Sequence, residues 1–297
     1  MTQMQVNFKQ RGRKFNMMRI VGIVLIVLML LALFVFWQNN GIVTTVINYS
    51  NPKIEESFDG YTIVQVSDLH NKSFGKNQST LLKKIKKKNP DMIVVTGDLV
   101  DSRSTNIAIA MQFIEGAMKL APVYYVTGNH ESREGILPEL KNKLEVAGVM
   151  MMDDNEMQIE KNGDVIELIG LSDPAFSGGS NLENNNPLNL EERLNKLSAN
   201  KQQAFTILLS HRPELFDVYV DHKIDLVFSG HAHGGQFRIP FVGGLIAPGQ
   251  GFFPKYTSGS HTVDETTMIV SRGLGNSVVP LRLFNRPELI VVTLQNE

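Results

Sequence analysis

The sequence predicts an α/β fold, with sheets covered by helices, preceded by one N-terminal transmembrane helix. Three observations carry this. From Tyr61 onward, short apolar runs alternate with helical patterns, as in folds that layer helices on sheets. Glycine and polar residues cluster directly after the apolar runs, where open α/β sheets bind ligands. Near the N-terminus, Ile20 to Trp37 read IVGIVLIVLMLLALFVFW without a charge.

That apolar run, as a helix, is roughly 27 Å long, close to the ~30 Å hydrocarbon core of a bilayer. Lys9, Arg11, Arg13, Lys14 and Arg19 precede it with no acidic residue, and Lys53 stands against Glu55, Glu56 and Asp59 after it. The positive-inside rule puts the N-terminus in the cytoplasm and the remainder outside. A cleaved signal peptide would need a shorter apolar core and a small-residue cleavage site, and Trp37-Gln38-Asn39-Asn40 offers none. A buried core helix is disfavoured by the length of the run. The expected organisation is a basic cytoplasmic tail at 1–19, a signal-anchor helix at 20–37, a stalk at 38–57 and a folded domain at 58–297.

Strands are expected at Thr62–Val66, Met92–Thr96, Val123–Thr127, Val165–Gly170, Ala204–Leu209, Leu226–Ser229, Thr267–Val270 and Glu288–Thr293, with another possible at Ile42–Ile47. Helices are expected at Ser79–Lys88, Asn106–Leu120, Arg133–Ala147, Asn189–Ser198 and Pro213–Val220. The Asn/Gly/Ser-rich stretch Ser177–Asn189 predicts an exposed loop. The lysines at 83, 84, 86, 87 and 88 fit a helix C-terminus better than a nucleic-acid patch. Net charge is -1, so no global field draws the protein to nucleic acid. With no cysteine, disulfides, thiolate metal sites and a cysteine nucleophile are excluded. Phe252, Phe253 and Tyr256 lie on a Gly/Pro-rich loop and suit either a groove rim or a hairpin core. His222 and His261 belong to no motif and are expected at the surface.

Asp68 and His70 follow the first core strand, Asp98 the second, Asn129 and His130 the third, His211 a later one, and His231 and His233 the next. Singly, Asp68 or Asp98 could cap a helix or turn, and Asn129 could be a turn residue. Together they offer carboxylate, imidazole and amide oxygen, which suit borderline or hard divalent cations. Seven ligands exceed what one transition ion takes, whereas two ions sharing a carboxylate would use them all.

VSDLH (66–70), GDLVD (97–101), GNHE (128–131), LSHRP (209–213) and GHAH (230–233) occur in the order seen in calcineurin-like metallophosphoesterases. The resemblance covers roughly residues 60 to 295. The tail, GHAHGGQ through SRGLGNSVVPLRLFNRPELIVVTL, is most similar to the bacterial membrane-linked branch, the YkuE and YaeI types. It implies a four-layer α-β-β-α sandwich of two mixed sheets, with 58–297 as catalytic domain. It also implies that Asp68, His70 and His233 bind one metal and Asn129, His211 and His231 the other. Asp98 would bridge both together with a hydroxide that attacks phosphorus. His130 would touch a phosphoryl oxygen or protonate the leaving group, and Asp101 would orient His130 through its other nitrogen. Manganese is the first choice of metal, with iron, zinc, cobalt or nickel as alternatives. Phosphoprotein phosphatases carry Arg directly after the second Asp of their GD motif. Ser102 stands here instead, with Arg103 one residue on, which weakens a protein-phosphatase assignment.

The resulting expectation is a membrane-anchored phosphoesterase with an extracytoplasmic site, cleaving phosphodiesters or pyrophosphates of lipid-linked or envelope substrates. A nuclease or nucleotide phosphodiesterase on the same fold would need a basic groove. A non-catalytic metal-binding envelope module would not need His130 or Asp101.

Overall fold

Short strands with every second side chain pointing each way build two six-stranded sheets. The structure, a computed structural model, describes residues 3–132, 135–176, 187–198, 204–276 and 280–297. Helix α1 (Gln3–Asn40) leads into β1 (Val43–Ser50). Then come β2 (Thr62–Val66), α2 (Ser79–Lys86), β3 (Met92–Thr96), α3 (Ile107–Ala117), β4 (Val123–Val126), α4 (Ile136–Val146) and β5 (Met150–Met151). The second half holds β6 (Asn155–Lys161), β7 (Asp164–Gly170), α5 (Pro187–Leu197), β8 (Phe205–Leu209), α6 (Phe216–Asp221) and β9 (Leu226–Ser229). Two small hairpins follow: β10 (Arg238–Ile239) with β11 (Gly243–Gly244), and β12 (Ile246–Ala247) with β13 (Gly251–Phe252). The chain closes with β14 (Gly259–Val263), β15 (Thr266–Val270) and β16 (Glu288–Gln295).

The first sheet runs β1-β16-β2-β3-β4-β5 and the second β14-β15-β9-β8-β7-β6. In each, four neighbouring strands are parallel, β2 to β5 and β15-β9-β8-β7, with antiparallel pairs at β16–β2, β14–β15 and β6–β7. Alternation along β2 and β3 sends Val64, Val66, Ile93 and Val95 toward α2, α3 and α4, and Ile63, Met92 and Val94 into the core between the sheets. There they meet Ile166, Leu168, Phe205, Ile207, Leu226 and Phe228 of the second sheet. Leu190 and Leu194 of α5 and Phe216 and Tyr219 of α6 cover that sheet's other side. The layers are helices, sheet, sheet, helices, so the parallel strands of both sheets end on one rim.

The N-terminal segment departs from the sequence expectation. Within α1, Asn16–Asn40 is long and apolar enough to cross a membrane. No stalk separates it from the domain. The chain turns at Gly41, whose N–H closes on the Trp37 carbonyl at 2.8 Å, and 43–50 pairs in parallel with β16 along its whole length. VTTVINYS is β-branched and alternating, which suits an edge strand better than an extended tether. The helix end is also held from the side. Arg286 stacks on the Trp37 ring at 4.2 Å, the Arg282 N–H donates to Asn39 Oδ1 at 2.8 Å, and the Lys72 ammonium donates to the Asn39 carbonyl. Of these, the Lys72 and Arg286 side chains face the negative end of the helix dipole, whereas Arg282 contributes its main-chain N–H.

Elsewhere the elements fall close to their expected places. Seven of the described strands were not expected: the two-residue β5 and β10 to β13, and β6 and β14, whose polar residues alternate at a solvated edge. The expected helix Pro213–Val220 is a 3-10 turn at Pro213–Leu215 continuing into α6. Of the predicted loop Ser177–Asn189, residues 177–186 lie outside the described residues, and Pro187 to Asn189 open α5. Arg133, the expected start of α4, also lies outside them. His222 and His261 are half-buried.

Candidate active site

The site is assembled from the turns after β2, β3, β4, β8 and β9, which interlock through backbone. The Asp68 N–H donates to the Gly97 carbonyl and the His70 N–H to the Asp98 carbonyl, both at 3.0 Å. Gly97 has φ +85°, and a Cβ there would stand 2.6 Å from the Gly128 nitrogen, so only glycine lets these two turns touch. Asp68, His70, Asp98, His231 and His233 all have φ between +44° and +62°. Side chains in this left-handed region cost of order 1–3 kcal/mol each and mark functional loops.

The side chains converge as two groups with one member in common. In the first, His70 Nε2 and His233 Nε2 are 3.1 Å apart, His233 Nε2 is 3.3 Å from Asp68 Oδ1, and His70 Nε2 is 3.4 Å from Asp98 Oδ2. In the second, His211 Nε2 is 3.3 Å from Asp98 Oδ2, 3.3 Å from Asn129 Oδ1 and 3.1 Å from His231 Nδ1. Ligands about 2.1 Å from a cation at tetrahedral or octahedral angles lie roughly 3.0–3.4 Å from one another, so these are the spacings of coordination spheres. The His211 Nδ1–H donates to the Thr96 carbonyl at 2.7 Å, so Nε2 faces the cluster, where a cation would take the place of its proton. All seven sequence-predicted ligands are thereby brought together, and every one but half-buried Asn129 is buried.

The electrostatics suit cations. Burial holds His70 down at about 4, and it also pushes His231 and His233 well below the usual imidazole range, so these rings are neutral donors of lone pairs. Burial, helped by the Asp98 charge, raises Asp68 to about 6. At Asp98 burial is outweighed by His211, His70 and His130, and its carboxyl stays ionised. Burial is likewise outweighed at His211, where Asp98 and Asp68 raise the imidazole to about 10. Positive charge is favoured where the two groups meet.

His130 stands beside the first group, its ring 4.5 Å edge-on from that of His70. The expected hydrogen bond from Asp101 to His130 is replaced. Asp101 Oδ1 is 3.7 Å from His130 Nδ1, and the carboxylate is taken by Arg103, whose Nε donates to Oδ1 at 3.0 Å and Nη2 to Oδ2 at 2.6 Å. Instead the Ser102 N–H donates to Nδ1 at 3.1 Å, with Ser102 Oγ at 3.0 Å. A backbone N–H can only donate, so Nδ1 is the acceptor and Nε2 carries the ring proton.

Three residues of the site had no role in the sequence expectations. Glu131 is fully buried and accepts the N–H groups of Asp98 (2.9 Å), Gly128 (2.8 Å) and Val100 (3.3 Å), tying the turns after β3 and β4 together. Arg212 is clamped by Asp173 at 2.6 and 2.9 Å and brings Nη1 within 3.2 Å of His231 Nε2. Glu214 Oε1 lies 3.9 Å from the same Nε2, beyond hydrogen-bond reach, and accepts from Arg212 Nη1 at 3.3 Å. Glu131 and Arg212 sit inside GNHE and LSHRP, and adjacency to a ligand was the available signal.

The family model for calcineurin-like phosphoesterases matches residues 61–235. The chain belongs to this family. It is 32% identical over 252 residues to the metallophosphoesterase YkuE of Bacillus subtilis, covering 82% of each chain. It is 27% identical over 208 residues to the phosphodiesterase YaeI of Escherichia coli, covering 69% of this chain and 70% of that one. A zebrafish transmembrane protein with a metallophosphoesterase domain is 27% identical over 252 residues, 82% of this chain and 55% of that protein. The protein is a metal-dependent phosphoester hydrolase with a buried Asp/His metal cluster.

Proposed function

We propose that this protein is a membrane-anchored phosphodiesterase or pyrophosphatase with a two-metal centre, acting on lipid-linked or other cell-envelope phosphoesters. The observation that carries the proposal is the position of Asp98 Oδ2, 3.4 Å from His70 Nε2 and 3.3 Å from His211 Nε2. One carboxylate oxygen between two ligand groups suits two cations about 3.5–4 Å apart, the spacing used for in-line displacement at phosphorus. Asp68, His70 and His233 would hold one cation, Asn129, His211 and His231 the other, and Asp98 both. When bound, such a pair supplies Lewis acidity and an activated water at neutral pH. Imidazole and carboxylate ligands favour manganese, iron, zinc, cobalt or nickel, with manganese first.

The chain's own groups supply the rest. His130, with Nδ1 engaged by Ser102, presents Nε2–H as a donor to a phosphoryl oxygen or to the leaving group. Glu131 and Arg212 hold the ligand-bearing turns still, so the reacting groups need little rearrangement. Helix α1 would span the membrane with the N-terminus in the cytoplasm, as the charge bias around it favours, and the site would face the extracytoplasmic side. YaeI carries the name phosphodiesterase and the zebrafish relative the name transmembrane protein, which supports both halves of the proposal.

The test is hydrolysis by the full chain in detergent, stripped of metal and then given Mn, Zn, Ni, Mg or none. Bis-aryl phosphodiester cleavage that needs metal and disappears in Asp98→Asn is expected. Cleavage of aryl monoesters alone would overturn the substrate assignment.

A further inference from the structure

Three exposed phenylalanines, Phe241, Phe253 and Phe284, hold φ of +68°, +52° and +52°. A bulky side chain in this region is a strained outlier, and the protein gains nothing from it by internal burial. Ile239 and Val242 flank Phe241 and are also exposed, and Phe252 is 72% exposed beside Phe253. Of the aromatic residues on this loop, Tyr256 alone turns inward, into the core under the second sheet.

These side chains belong to one structural unit. The Arg238 N–H donates to the Leu283 carbonyl at 3.3 Å, joining the 238–244 hairpin to the segment of Phe284. Leu245 links the two hairpins, its N–H donating to the Phe237 carbonyl and its carbonyl accepting the Phe253 N–H, both at 2.9 Å. The unit is continuous with the anchor: the Phe284 ring lies 6.0 Å from the ring of Phe34 on α1. Phe34 is one helical turn inside Trp37, and at 1.5 Å per residue that is about 4.5 Å toward the bilayer centre. If Trp37 marks the interface, as tryptophan does in membrane helices, Phe284 sits at hydrocarbon depth.

We infer that Phe241, Val242 and Phe284, with Phe252 and Phe253 beside them, are seated in the lipid interface around α1, so that the active site opens at headgroup level. This rests on α1 spanning the membrane. The same unit carries a metal ligand. Asn285, next to Phe284, donates to the His233 carbonyl at 2.7 Å, and the Leu245 N–H donates to the Gly235 carbonyl at 3.0 Å. Seating the aromatics in lipid therefore fixes the height of the His233 turn above the acyl chains. The substrate class that fits is an amphiphile whose phosphoester lies at the bilayer surface while its tail stays in the membrane.

The chain has no cysteine, so single cysteines can be labelled without background. The full chain is reconstituted in phosphatidylcholine vesicles, with an environment-sensitive fluorophore on Phe241→Cys, Phe252→Cys, Leu31→Cys or Val146→Cys. Quenching by lipids spin-labelled near the glycerol is read for each. Leu31 lies within α1, and Val146 is 82% exposed on α4, which packs by β5 at the opposite edge of the first sheet from β1. Labels at 241 and 252 are expected to be quenched at least half as strongly as at 31, and the label at 146 not at all. Position 31 quenched while 241 and 252 behave like 146 would overturn the inference and leave the anchor standing. A label at 241 that shifts to the blue without lipid quenching would mean a second protein covers the patch, and also overturns it. No quenching at 31 would remove the anchor and the inference together. None of these readouts depends on turnover.

Discussion

The Ser102 N–H donates to His130 Nδ1 at 3.1 Å, which fixes the tautomer of the histidine that stands beside the proposed metal ligands without being counted among them. Because the donor is backbone, side-chain loss at Ser102 leaves it in place. His130→Ala is expected to lower kcat by about 10²–10⁴, the usual contribution of a positioned acid, with KM little changed. Ser102→Ala removes only the Oγ contact and is expected to cost less than about tenfold, within what one net hydrogen bond is worth. Steady-state kinetics on a diester substrate checks both, and equal losses would mean that the hydroxyl, not the N–H, positions the ring.

Gly128 admits no side chain. A Cβ there would overlap Asp98 Oδ1, which also accepts the His130 N–H at 2.9 Å. Gly128→Ala is expected to displace the shared carboxylate, at a stability cost of about 1–3 kcal/mol typical of overpacking. Calorimetric metal titration should show the loss at both proposed sites, since both would use Asp98.

Asp173 neutralises Arg212 in a nearly closed pocket behind His231. Asp173→Ala leaves a buried guanidinium with Glu214 as its remaining acidic partner and is expected to cost about 3 kcal/mol. Denaturant unfolding of the metal-free protein measures this. Paired removal, Asp173→Ala with Arg212→Met, should recover part of the loss.

Much of this was legible from residues 62 to 96, where TIVQV and MIVVT are apolar runs of strand length bounded by turn residues. The convergence of the proposed ligands was legible because each follows such a run and is a residue type that metals need. What sequence hid had physical causes. VTTVINYS reads equally as tether or strand, and its pairing with β16, more than two hundred residues later, decides the matter. NEMQIEK of β6 has too few apolar residues to announce an edge strand. The place of Asp101 depended on whether Arg103 or His130 would take its carboxylate, a competition between neighbours that spacing does not rank.

Burial, with a smaller push from Asp154, raises half-buried Asp153 to about 6, against the hydrogen bonds it accepts from the Thr127 N–H and hydroxyl. A carboxyl whose folded pKa exceeds its unfolded value binds its proton more tightly in the folded state. The charged form therefore costs stability above pH 6, and the cost fades as pH falls from about 6 toward 3.8. Asp153→Asn should melt higher than the wild type at pH 8, by an amount worth about 1–2 kcal/mol after solvent screening. That advantage should vanish by about pH 4, below the folded value, as linkage requires. Effects of pH on the metal cluster are common to both proteins and cancel in the difference.

The central claim is that two cations share Asp98, and metal content measures it most directly. The wild-type chain and Asp98→Asn would be loaded with Mn, freed of excess by gel filtration and assayed for metal per chain. Two ions per wild-type chain, with both weakened in Asp98→Asn, is the predicted result. One ion per wild-type chain, or two that survive the substitution unchanged, would contradict the shared carboxylate.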